Sequence, residues 1–192
     1  MGRSVKNAAK AHGEAGPIEM SVPLLEHDRI VFLSGDVTEH SITNVQAQLI
    51  GLANVSNLPI TLVVSTYGGS VDEMFSLYDT FRLIKAPVHT VALGKVMSAG
   101  VLLLAAGSKG KRLIGRHARI MIHPVSAGSG GNVFEVRNDV EEQERLQNLM
   151  VQALERETKM KRPTIDGFMK AGHDCYITAE EAIKLGIVDK LI

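Results

Sequence analysis

Ile60-Thr-Leu-Val-Val-Ser-Thr-Tyr-Gly-Gly-Ser-Val-Asp-Glu-Met-Phe-Ser-Leu-Tyr-Asp-Thr-Phe-Arg-Leu-Ile84 and, beyond Pro87, Val88-His-Thr-Val-Ala-Leu-Gly-Lys-Val-Met-Ser-Ala-Gly-Val-Leu-Leu-Leu-Ala-Ala106 decide the class of fold. Ile60 to Val64 is a short apolar, β-branched run that meets a turn signal at Tyr67-Gly68-Gly69, the form of a buried strand. Ser70-Val-Asp-Glu73 then has the pattern of a capping box, and Met74, Phe75, Tyr78, Phe81 and Ile84 recur at helical spacing until Pro87. Val88 to Leu93 reads as another strand with Gly94 as its turn, and Ser98 opens an apolar helix through Ala106. Alternation of this kind predicts an α/β fold of βαβ units around a mainly parallel sheet, whose strand carboxyl ends collect catalytic groups.

The same alternation extends to both sides. Arg29 to Ser34 is a strand signal ending at Gly35, and Ile42, Val45, Leu49, Ile50 and Ala53 mark an amphipathic helix. Ala118 to Ile122 is a strand that delivers His123 at its end. Ala127 to Gly131 is a glycine-rich hinge without the Lys-Ser/Thr sequel of a phosphate-binding loop. A long helix follows from about Val133 to Lys159, with Val136, Val140, Leu146, Leu149, Met150, Ala153 and Leu154 on its apolar side. Its charges, Glu141 to Arg145 and Glu155 to Glu157, read as a solvated face. Thr178-Ala-Glu-Glu181 caps a last helix ending at Gly186, and Ile187 to Ile192 closes as a strand.

Composition narrows the function classes. With 21 basic and 21 acidic residues the formal charge is zero, which gives no general attraction to nucleic acid or anionic membrane. No Trp and only three Tyr leave little material for stacking on bases. The longest apolar stretch, Val96 to Gly107, is too short to span a bilayer, which takes about 20 residues. Residues 1–16 lack an apolar signal core and read as a mobile tail or removable leader; a single Cys175 suits a reducing compartment, so the cytoplasm is expected. The histidines show no metal-ligand spacing, and neither metal nor cofactor is expected.

Three residues carry chemistry: Ser98 at the start of its helix, His123 after its strand and Asp174 in Gly172-His-Asp174-Cys-Tyr-Ile. A serine hydroxyl becomes a nucleophile when an imidazole takes its proton, and a carboxylate fixes the imidazole tautomer. Each has a plainer reading: Ser98 as a helix cap, His123 as a strand-end histidine, Asp174 as an acidic charge before the last helix, Cys175 as core filler.

Arg29-Ile-Val-Phe-Leu, Tyr78-Asp-Thr80, Ala106-Gly-Ser-Lys-Gly-Lys-Arg112, Met121-Ile-His123 and the run Ala179 to Ile192 occur together and in order. In these segments the chain resembles the ClpP family of serine endopeptidases from about Leu24 to Ile192. The resemblance implies a ClpP/crotonase-like fold of stacked ββα units over residues 24–192, after a flexible N-terminal segment at 1–23. It also implies a protruding handle helix within about 125–160 that interleaves two seven-membered rings of the same subunit around an enclosed chamber. Ser98 is then the nucleophile, His123 the general base and acid, and Asp174 its orienting carboxylate. The backbone N–H groups of Gly69 and Ala99 form the oxyanion hole. Strand edges at Ser70-Val71 and Val125-Ser126 flank an extended polypeptide substrate.

This chain has Tyr67 where the family usually has Pro, Ala99 for Met, and Pro124 directly after the histidine. Thr61 and Val63 stand where the family places aromatics in the cleft that docks a Clp-type AAA+ ATPase, which weakens the case for that partner. Two rival functions belong to other classes: a silent structural subunit of a mixed Clp ring, and a crotonase-type acyl-CoA enzyme, which shares an oxyanion hole but has no such triad.

Overall fold

A computed structural model describes residues 28–192. The expected flexible segment 1–23 and the leader reading of residues 1–16 lie outside the described residues. Strand β1 (Ile30–Ser34) leads to helix α1 (Glu39–Val55), β2 (Ile60–Thr66), α2 (Val71–Leu83), β3 (Val88–Met97) and α3 (Ala99–Ala105). Then come β4 (Arg112–Ile114), β5 (Arg119–Ile122), α4 (Val133–Glu157), α5 (Arg162–Lys170), β6 (Cys175–Ile177), α6 (Ala179–Lys184) and β7 (Lys190–Leu191).

Strands β1, β2, β3, β4 and β7 lie side by side in that order and run parallel. The expected α/β fold with a mainly parallel sheet is what forms. Ile60, Leu62, Val64 and Thr66 all point to the buried side of β2, the period of two that a strand imposes. Helix α3 is apolar on every side, and each of its residues is buried, as expected of a helix enclosed by other elements.

Gly94 does not end β3, as its turn signal suggested. At φ +66 it sits inside the strand, and the β2 register jumps there from Val64↔Ala92 to Thr66↔Val96. Extra residues on one strand bend it and re-aim its end. The first half of β3 therefore pairs β4, while Lys95 to Met97 pair β5. Strand β5 in turn pairs β6 antiparallel. This bend lets the carboxyl ends of β2, β3 and β5 converge.

Some elements were not expected, and the readings of Cys175 and Glu157 are corrected. Helix α5 and strands β4 and β6 were not foreseen, and Cys175 is a half-buried strand residue, not core filler. Arg112 is 3% exposed and forks onto Asp189, with Nη2–Oδ1 at 2.6 Å and Nε–Oδ2 at 2.9 Å. Glu157, read as solvated, is buried where α4 ends. It accepts from Tyr78 Oη at 2.8 Å and Arg82 Nη2 at 2.6 Å, and Lys109 contacts both its carboxylate and its carbonyl. Burial pushes the Glu157 pKa up, but hydrogen bonds from Tyr78, Lys109 and Arg82 outweigh it and hold the carboxyl below its ordinary value. In keeping with a protruding helix, the long helix packs only its second half on the body. Met150, Val151, Ala153 and Leu154 are buried, whereas Val133, Phe134, Val140 and Leu149 are exposed.

The Arg112 fork, which burial opposes, lowers the Asp189 carboxyl to about 2 from an ordinary 3.8. A depressed carboxyl stabilises the fold fully above its unfolded value, and the contribution is lost as pH falls through about 2. We expect Asp189→Asn to cost about 2 kcal/mol at pH 7, and its stability to vary less than that of the parent between about pH 4 and 2. Urea melts at both ends of that window check this.

Candidate active site

Strand β2 ends at Thr66 and passes directly into Tyr67-Gly68-Gly69. Gly68 has φ +105, and a Cβ there would lie 2.6 Å from Ser98 Cβ and 3.1 Å from Ser98 Oγ. A Cβ on Gly69, at φ +147, would lie 2.3 Å from the Val37 carbonyl oxygen. Glycine is required at both positions by conformation and by space.

The turn is pinned on one side. Val37 N–H donates to the Gly68 carbonyl at 2.8 Å, and Ser70 N–H donates to the Val37 carbonyl at 2.9 Å. Because a trans peptide is planar, the Gly69 N–H points opposite to the Gly68 carbonyl, away from Val37. That donor is left for another partner.

Ser98 joins β3 to α3 with φ 53 and ψ −123, a conformation rare for a residue bearing a Cβ. Its backbone is held by N–H donation to the Met121 carbonyl at 2.8 Å and by Val101 N–H donating to its own carbonyl at 2.9 Å. Strain of this kind costs about 1–3 kcal/mol and persists only where the surroundings impose it. Although Ser98 occupies the cap position, its side chain caps nothing. Its Oγ lies 2.8 Å from His123 Nε2. With the ring proton on Nδ1, the hydroxyl donates to Nε2, the arrangement that proton abstraction requires. The Gly-x-Ser-x-Gly motif that usually signals a strained strand-to-helix serine is absent, since Val96 holds the first glycine position; only the backbone shows it.

His123 follows β5, half-buried. Pro124 offers no N–H, and the next donor, Val125 N–H, goes to Gln147 Oε1 of α4 at 3.2 Å. The long helix thus holds the segment that carries the histidine, a tie with no sequence signal. Ser126 lies in irregular chain beside it.

Asp174 is exposed, and no hydrogen bond between its carboxylate and His123 is recorded. Its placement is still informative. Strands β5 and β6 pair Ile120↔Ile177, Met121↔Tyr176 and Ile122↔Cys175, so continuing the register by one residue sets Asp174 opposite His123. Opposed residues in an antiparallel pair have Cα atoms about 4.5–5.5 Å apart. His173 Nδ1 lies 3.2 Å from the Asp174 carbonyl oxygen.

The strand-edge reading of Ser70-Val71 and Val125-Ser126 needs correction. Ser70 is the N-cap of α2, accepting from Glu73 N–H, and Val71 begins that helix; neither residue of the second pair belongs to a strand. Tyr67 is exposed beside the glycines, with Lys95 Nζ 4.6 Å from its ring centroid. Ala99 begins α3, so its N–H is among the helix-start donors that lack an intrahelical acceptor. Among the described residues no cluster of three or more His, Cys, Asp or Glu could hold a metal ion, and no helix is long and apolar enough to cross a membrane.

The profile of the Clp protease family matches residues 16–192. The chain is 36% identical over 169 residues to ATP-dependent Clp protease proteolytic subunit 1 of Corynebacterium diphtheriae, covering 87% of this chain and 80% of that one. Identity and coverage are the same for proteolytic subunit 2 of Corynebacterium jeikeium and for proteolytic subunit 1 of Corynebacterium glutamicum.

Proposed function

Because the chain belongs to the Clp protease family, we propose that it is a serine endopeptidase in which Ser98 attacks the scissile carbonyl and His123 moves the proton. The 2.8 Å contact between Ser98 Oγ and His123 Nε2, on a strained turn that serves no capping purpose, carries this reading.

As Oγ bonds to the substrate carbonyl carbon, its proton passes to Nε2 and the carbonyl becomes an oxyanion. The N–H groups of Gly69 and Ala99 receive that charge; each well-aimed donor is worth about 2.7–4 kcal/mol in the transition state. Collapse expels the amine, which takes the proton from Nε2 and leaves an acyl-Ser98 ester. Water, deprotonated by the same nitrogen, then releases the acid. Asp174, opposite His123 on the neighbouring strand, turns its carboxylate to Nδ1 in the working particle. Ser70, Val71, Val125 and Ser126 border the groove that takes the extended polypeptide.

The working particle is two stacked rings of seven copies, in the cytoplasm, with the first half of α4 interleaved between rings. The uncovered Val133, Phe134 and Val140 support this. An adduct at Ser98 with a fluorophosphonate, together with cleavage of an unfolded polypeptide, tests the function. No adduct and no cleavage would indicate a structural subunit, and saturable binding of acyl-CoA esters a crotonase-type enzyme.

The relatives are named as proteolytic subunits of an ATP-dependent protease. On the sheet face of this chain the aligned rung is Phe32, Val63, Val91 and Leu113, aliphatic apart from Phe32. Aromatics commonly supply interface hot spots. We expect short peptides to be cleaved without ATPase, and a standard Clp ATPase to stimulate degradation of a folded substrate less than about tenfold. Thr61→Tyr with Val63→Tyr should raise that stimulation in the same assay.

A further inference from the structure

Building on the serine-peptidase reading, we propose that Thr66 is a positioning residue that sets both donors of the oxyanion hole against Ser98. Ile60, Leu62 and Val64 share the inward face of β2 and are fully buried aliphatics; Thr66 continues that face, equally buried, with a hydroxyl. Packing alone asks for Val at such a site.

The hydroxyl has a specific task. Thr66 Oγ1 accepts the Gly68 N–H at 2.9 Å, a bond that closes the chain on itself two residues on. The Gly68 carbonyl is taken by Val37 N–H at 2.8 Å. Gly68 is therefore fixed at both backbone groups, and the Gly69 N–H, which shares a peptide plane with that carbonyl, has a single direction. A Cβ at Gly68 would already lie 2.6 Å from Ser98 Cβ, so movement of this turn is felt at the nucleophile.

The methyl of the same side chain braces the other donor. Thr66 Cγ2 would stand 2.4 Å from a Cβ on Gly100, the residue after Ala99, so it rests on the first turn of α3. One side chain thus holds the Gly69 donor through a hydrogen bond and the Ala99 donor through contact. Neither function touches substrate, so ground-state binding should be nearly independent of it, while stabilisation of the oxyanion should depend on it.

Steady-state hydrolysis of a fluorogenic peptide by the assembled protein tests this. We expect Thr66→Val to lower kcat about 10- to 100-fold with KM within about threefold. Affinity for a peptide boronate, whose tetrahedral adduct presents oxygen to the hole, should fall by a similar factor. Thr66→Ser, which keeps the hydroxyl but loses the methyl against Gly100, should have a kcat between that of Thr66→Val and that of the parent. Should Thr66→Val fail to assemble, Thr66→Ala compared with Thr66→Ser reads the same hydroxyl. A variant without the hydroxyl but with parental kcat, a loss confined to KM, or a Ser variant as slow as Val would overturn the assignment. If fluorophosphonate does not label Ser98 in the parent protein, the serine-peptidase reading falls and this assignment with it. Labelled Ser98 with unchanged kcat in the Val variant overturns the Thr66 assignment alone.

Discussion

Ser98→Ala should leave a particle of unchanged native mass whose peptide turnover is lower by about 10⁶, the loss typical of removing a serine nucleophile that works as a unit with its base. The hydroxyl makes no capping bond, and its recorded contact is with His123 Nε2, so removing it takes away the attack and little packing. The backbone adds a second readout. An alanine at this position would inherit the φ of 53, whereas glycine adopts positive φ readily. Ser98→Gly should be equally inactive yet about 1 kcal/mol more stable than Ser98→Ala, as measured by urea melts. Equal melts for the two variants would mean that the turn stores no strain.

The second large effect concerns the handle. Phe134 and Val140 are 75% and 45% exposed on the half of α4 that leaves the body. Covering such side chains is worth about 1.5–3 kcal/mol each, repeated by every subunit around the proposed ring, and an unpaired carboxylate in their place opposes association strongly. Phe134→Asp with Val140→Asp should halve the native mass without lowering the helix content of the subunit. Activity should fall with it by about ten- to a hundredfold, because α4 also holds the His123 segment through Gln147, and small displacements of reacting groups are costly. Parental mass and parental turnover in the double variant would show that this face of the helix is not between rings.

Much of this architecture is legible from periodicity. Ile60 to Val64, the Met74-Tyr78-Phe81 stripe and the all-apolar run after Ser98 each bury what their spacing demands, because a parallel sheet covered by helices leaves few other arrangements for such segments. Ser98 and His123 were legible as strand-end residues, and the structure brings them into contact. Other features leave no such trace. Gly94 in sequence is a turn signal; only the pairing of β3 with two different neighbours makes it a bend within a strand. Arg112 and Asp189 are 77 residues apart, and nothing local marks a charge that will be buried by a partner so distant. Glu157 was hidden in a run of charged residues for the same reason. Helix α5 buries only Ile165 and Met169, one contact per turn, too short a stripe to register as a period. Asp174 stands opposite His123 through a three-residue antiparallel pairing that no alternation announces.

The central claim is that His123 activates Ser98 for acyl chemistry. Intact mass and peptide mapping after reaction with a fluorophosphonate test it most directly. One adduct per subunit on Ser98 is expected in the parent protein, with the labelling rate lower by about 10³ or more in His123→Ala. Labelling of Ser98 at the parental rate in His123→Ala, or an adduct carried by another residue in the parent, would contradict the account.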